Sequence, residues 1–187
     1  MNTYWQLIVF FFAAINPAAV ALAMARRGED RDIRARWKTP AIGLAIAMAA
    51  YAVAASGAAR ALDGLDIEPE SFRVAAGIVM AAVGVLSIWR GAPEVEGEEM
   101  GWQSAVFPLA LPLLVSPAGL VAAVTYGADD GGGTAFGALS VSLAIAGILL
   151  VVSRGPWVPA LDAVARLTGA LLVVVAAGLV VDGVRAI

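Results

Sequence analysis

Residues 100–128 read MGWQSAVFPLALPLLVSPAGLVAAVTYGA, 29 residues without a charge. As one straight helix this stretch would run ~43 Å at 1.5 Å per residue, against a bilayer hydrocarbon core of ~30 Å. Pro108, Pro112 and Pro117 lie inside it. Each Pro removes a backbone donor, and its ring pushes away the carbonyl four residues back. The stretch is therefore predicted to be a broken membrane span.

Five further uncharged stretches surround it: Tyr4–Ala25, Thr39–Ala59, Val74–Trp89, Gly131–Ser153 and Leu167–Val181. The runs are continuous, not alternating, and rich in Ala and Leu, which favours helices over barrel strands. A helix satisfies its own backbone groups in lipid. The chain is 61% hydrophobic and 14% charged over 187 residues, against roughly 25% charged in soluble domains. An all-α integral membrane protein of six transmembrane helices is predicted, as a single transmembrane domain over 1–187. Met1-Asn2-Thr3 lacks the basic start of a secretory signal, so the first apolar run is read as a retained span.

Composition also excludes function classes. There is no Cys and no His, which removes disulfides, Cys-based zinc sites and His relays. The net charge of −3 offers no basic footprint for nucleic acid. No nucleophile–base pair or carboxylate cluster falls within a span, and no phosphate-binding Gly-Lys-Ser/Thr loop is present. No enzyme, cofactor or metal is expected.

Trp5, Trp37, Trp89, Trp102 and Trp157 all fall at or near span ends, where an indole prefers the headgroup level. Arg26, Arg27, Arg31, Arg34, Arg36, Lys38, Arg90, Arg154 and Arg166 would share one face; Arg60, Arg73 and Arg185 would share the other. The positive-inside rule puts the first group in the cytoplasm and both termini outside. The acidic run Glu94–Glu99 then reads as a solvated cytoplasmic loop.

The chain divides into 1–93 and 100–187, each with three spans and hence of opposite orientation. The first span of each half carries a polar residue before Pro: Asn16-Pro17-Ala18 and Ser116-Pro117-Ala118. The third span of each half reads as short and follows an Arg, Arg73 or Arg166. Paired Pro-interrupted or short spans in corresponding places point to a transporter's binding site. Two inverted three-helix repeats with broken first and fourth helices are expected.

Asn and Ser are strong N-caps, and Pro is favoured at the first helical position. Asn16-Pro17 and Ser116-Pro117 thus each read as a helix starting inside the membrane. A helix N-terminus presents unpaired N–H groups and a partial positive charge of about +0.5. Pro17, Ala18, Ala19, Pro117, Ala118 and Gly119 would bring two such ends to one cavity, with the amides of Ala18, Ala19, Ala118 and Gly119 facing a carboxylate. Freed carbonyls near Ala13, Pro108 and Leu113 would accept from an ammonium. A small zwitterion fits that description. Against it, a single Pro in a span is commonly a kink repaired by its neighbours. Arg73 and Arg166 either snorkel or gate the two mouths, and Asp182 sits at an interface. Small residues such as Gly137, Ser140, Ala144 and Gly147 let helices pack closely, and a homo-oligomer is compatible with them.

Phe12-Ala13-Ala14-Ile15-Asn16-Pro17, Ser71-Phe72-Arg73-Val74-Ala75-Ala76-Gly77-Ile78, Pro108-Leu109-Ala110-Leu111-Pro112-Leu113-Leu114-Val115-Ser116-Pro117, Arg166-Leu167-Thr168-Gly169 and Asp182-Gly183 together resemble the MarC family of six-span bacterial and archaeal membrane proteins. The similarity covers nearly the whole chain, and the Pro-Leu-x-x-Pro-Leu-Leu block is its most specific part. The resemblance implies the wider amino-acid exporter group, some relatives of which are credited with moving glycine and alanine. It implies a central-site role for Asn16, Pro17, Ser116 and Pro117, in a prokaryotic cytoplasmic membrane. Ala19, Ser116, Ala118 and Ala76 stand where the family favours Gly, which adds methyl groups beside the expected site. A secondary transporter of small neutral amino acids is the leading expectation. The alternative is a non-transporting structural or assembly subunit, with continuous first and fourth helices and no cavity at mid-depth.

Overall fold

A computed structural model describes residues 3–27, 33–93, 103–152 and 158–187 of the chain. Among these residues every regular element is helical: α1 (Tyr4–Ile15), α2 (Pro17–Arg27), α3 (Ile33–Gly64), α4 (Pro69–Arg90), α5 (Pro117–Asp129), α6 (Gly132–Val152) and α7 (Val158–Ala186). A wide-turned, proline-broken segment, Ala105–Leu114, precedes α5. Five helices are long and apolar enough to cross a membrane, counting Tyr4–Arg26 as one. The Ala105–Leu114 segment with α5, bent by 60°, makes a sixth if counted as one span. Trp102, Trp157, Arg31, Arg154 and the acidic run Glu94–Glu99 lie outside the described residues.

Both interruptions have local causes. Asn16 adopts φ 51°, ψ 67°, a left-handed conformation that Asn tolerates, and this ends α1 and starts α2. The first span nevertheless stays straight enough to count as one helix of 23 residues. In the fourth span, Phe107 and Leu111 are extended (φ −128°, ψ 125° and φ −123°, ψ 120°). Each precedes a Pro, whose ring disfavours the α region for its predecessor. Ser116 is extended as well and caps α5.

Arg73 and Arg166 do not end their spans, contrary to the sequence expectation. The third spans are long, 22 residues for α4 and 29 for α7, and the two Arg residues lie within them. Each is paired with an Asp, as described below, so neither charge has to terminate its helix. Trp5, Trp37 and Trp89 are 72%, 60% and 82% exposed, close to helix ends, as a headgroup position requires.

One buried cluster draws on every helix. Its most extensive pairing joins α4 to α7. Gly77 lies against Ala176 and Val180, Gly84 against Gly169 and Val173, and Gly183 against Glu70 and Val74, so the two helices run antiparallel. Close backbone approach through Gly is a common device for packing helices in lipid. Elsewhere α3 packs on α5, α6 and the proline-broken segment, α2 on α6 and α7, α1 on α6, and α4 on α5.

Candidate functional site

Asn16 has both of its side-chain ends in use. Its Oδ1 accepts from the Ala19 N–H at 3.2 Å, and its Nδ2 donates to the Ala165 carbonyl of α7 at 2.9 Å. Ser116 behaves likewise. Its Oγ accepts from the Gly119 N–H at 3.0 Å and donates to the Ala14 carbonyl at the end of α1, also at 3.0 Å. Ser116 thereby ties the second helix start to the end of α1, while Asn16 ties the first to α7. The amides of Ala19 and Gly119 were expected to be free for a ligand, and they are occupied by these caps.

Asn16, Ala19, Ser116 and Pro117 line a common cavity of about 700 Å³, together with Ala14, Pro112, Leu113, Leu172, Ser87 and Arg90. Such a volume lies within the roughly 300–1,000 Å³ of small-molecule sites. Pro17, Ala18, Ala118 and Gly119 stand outside its lining. Its α4 wall runs from Val83 to Arg90, ~10 Å along the helix axis. It thus reaches from the Arg90 end of the bundle to the helix starts.

Ala118 is fully buried, and Gly119 faces the Tyr51 hydroxyl so closely that a side chain there would collide with it. Tyr51 is itself buried and donates to the Leu114 carbonyl at 2.8 Å. It therefore props the turn that leads into Ser116. Tyr51→Phe is expected to cost about 1 kcal/mol, read as a lower Tm in detergent, because Leu114 loses a donor. Tyr51 could have been found in the sequence as a polar aromatic far from the predicted span ends.

The two Arg residues sit at opposite ends. Arg166 bonds Asp162 (Nε to Oδ2, 2.8 Å) and the carbonyls of Ile88 and Trp89 at 2.7 and 3.3 Å, satisfying the C-terminus of α4. Arg26 reaches the same Asp162 at 3.4 Å. Gly91, which lines the cavity mouth, lies against Asp162 and Arg166 with φ 73°. Arg73 makes two bonds to Asp129 of α5, at 2.8 and 3.2 Å. It lines a second cavity of about 580 Å³ with Asp182, Tyr126 and Phe10. Asp129 as a partner has no sequence signal, since 56 residues separate it from Arg73, whereas Asp162 stands four residues before Arg166, the spacing of a helical ion pair.

On α7 the two linings abut, with Leu172 in the first and Leu171 and Val174 in the second; on α1, Ala14 lines the first and Phe10 the second, about one turn apart. Phe11, fully buried between those positions, meets the ring of Tyr126 edge-on at 5.7 Å. Phe10 stacks on the same ring at 5.3 Å.

The family model described as MarC family integral membrane protein matches residues 1–187. The chain is also similar to the UPF0056 membrane protein PH0214 of Pyrococcus horikoshii, 29% identical over 127 residues. That match covers 65% of this chain and 62% of the relative's length. No solved structure matches the chain.

Proposed function

The chain belongs to the MarC family of integral membrane proteins, and from that premise we propose that it is a secondary transporter of small neutral amino acids or similar small zwitterions. The observation that carries this reading is the pair of cavities entering from opposite ends, which come within about one turn of each other on α1 and abut on α7. Alternating access needs such a thin partition between two mouths. The non-transporting alternative expects unbroken first and fourth helices and no mid-depth cavity; the breaks at Asn16 and Ser116 weigh against it.

The substrate's carboxylate would be drawn by Arg90 at the mouth and by the partial positive charge of the two helix starts. Its ammonium would meet a carbonyl of the non-helical turn that leads from Leu113, in the cavity wall, to Ser116. Asn16 and Ser116 would hold the polar centre between them. Asp162 and Arg166 would brace the Arg90 mouth, and Arg73 with Asp182 the other. On this reading the protein is a carrier and not an enzyme. It lies in the prokaryotic cytoplasmic membrane, with the Arg26–Arg90 end inside and both termini outside.

The inverted-repeat organisation belongs to the same proposal. Exchanging the halves turns the α3–α5 contact into α6–α2, α4–α5 into α7–α2, and α1–α6 into the proline-broken segment with α3. All of these contacts occur. The α4–α7 and α3–α6 pairs map onto themselves.

Counterflow in proteoliposomes tests the function. Vesicles loaded with glycine or alanine should accumulate the labelled amino acid. Ser116→Ala, which removes the link to Ala14, should slow that at least tenfold. Wild-type vesicles that accumulate no small neutral amino acid would overturn the proposal.

A further inference from the structure

The second cavity has a chemistry of its own. One Arg and three Asp residues line it (Arg73, Asp129, Asp130 and Asp182), for a net negative charge of two. Arg73 spends its charge on Asp129 through two hydrogen bonds. Tyr126 also lines this space; it is 1% exposed, and its buried hydroxyl has no hydrogen-bond partner among the described residues. An unpaired buried hydroxyl is costly, and native proteins seldom carry one without a role. Phe10 and Phe11 clamp the ring on two sides, so the hydroxyl cannot easily swing to a new partner.

We propose that this cavity is a second binding site, which takes the ammonium group of a small organic amine between Asp182 and the Tyr126 hydroxyl. An ammonium supplies what the site lacks: positive charge for the carboxylates and a donor for the tyrosine oxygen. The Phe10 ring beside it offers a π face that attracts cations, and Leu171 and Val174 give the ligand's carbon body an apolar wall. A bare metal ion fits less well, because among the described residues no three acidic side chains converge to hold one. The choice of an amine as ligand rests on the carrier reading, in which this is where a zwitterion docks at the far mouth. The site itself rests on the cavity, its charge and the orphaned hydroxyl.

Calorimetric titration of the full chain in lipid nanodiscs with n-butylammonium tests this, with butyrate as the control. Saturable binding of the amine and none of the acid is expected. Tyr126→Phe should weaken amine binding about tenfold, the loss of one charge-assisted hydrogen bond, and leave the Tm unchanged or higher. A hydroxyl with only a structural role would lower the Tm and leave binding alone. Asp182→Asn should weaken binding at least tenfold. No saturable binding to the wild type, or equal binding to the wild type and both variants, would overturn the site. The titration needs no turnover, so a failure to transport amino acids would sink the carrier reading and leave this result standing.

Discussion

Replacing Asn16 by Ala is expected to lower stability by about 2–3 kcal/mol and to abolish transport, whereas Asn16→Gly should abolish transport and keep the fold. Two costs add in the Ala variant. The cap on the Ala19 amide is lost, typically ~1 kcal/mol. Ala must also adopt φ 51°, ψ 67°, a left-handed conformation costing roughly 1–2 kcal/mol for a residue with a Cβ. Gly adopts it freely and loses only a few tenths as an N-cap. Both variants remove the amide that bonds Ala165 and faces the cavity. Thermal melts and counterflow on the pair thus separate the conformational role of Asn16 from its chemical one. Full counterflow in Asn16→Gly would remove the residue from the site.

Gly84→Val should be strongly damaging, although Gly84 touches none of the cavities' polar groups. A Cβ at Gly84 would lie 2.8 Å from both the Gly169 carbonyl and a Val173 methyl, and 3.1 Å from the Val173 amide. Backbone cannot step aside as a flexible side chain can, so α4 and α7 would have to part. Overpacking of this kind costs about 1–3 kcal/mol. Here it also displaces the helices that wall both cavities. A drop of several degrees in Tm and loss of counterflow are expected together. Gly57→Val on α3, where nothing lies within 4 Å of the added carbon, should change neither; an equal loss there would show that any branched residue harms a span.

Both helix starts are legible in the sequence because their cause is local. Asn or Ser before Pro carries its own cap and its own break, and the structure places a helix boundary at each. The proline-broken fourth span is legible for the same reason. The ends of the third spans are not: Arg73 is accommodated within its helix by Asp129, a partner that only the fold supplies, and Arg166 by Asp162 one turn back and by the Ile88 and Trp89 carbonyls of α4. The amides of Ala19 and Gly119 are occupied for an equally local reason: Asn16 and Ser116 cap them, leaving those donors nothing to offer. The roles of Tyr51 and Tyr126 are marked by no motif. Each acts through a contact from another helix: the Leu114 carbonyl for Tyr51, and the Phe10 and Phe11 rings for Tyr126.

The chain contains no cysteine, so a single introduced thiol reports on one position without background. Ser116→Cys places it in the cavity wall at the second helix start. Ser142→Cys on α6, fully buried and bonded to the Ile8 carbonyl, serves as the dry reference. Labelling with a small, charged, membrane-impermeant thiol reagent should modify Ser116→Cys from the Arg26–Arg90 face and spare Ser142→Cys, with glycine or alanine slowing the reaction. A Ser116→Cys thiol as unreactive as the Ser142→Cys one from both faces would mean that water does not reach the broken helices, and the carrier mechanism would go with it.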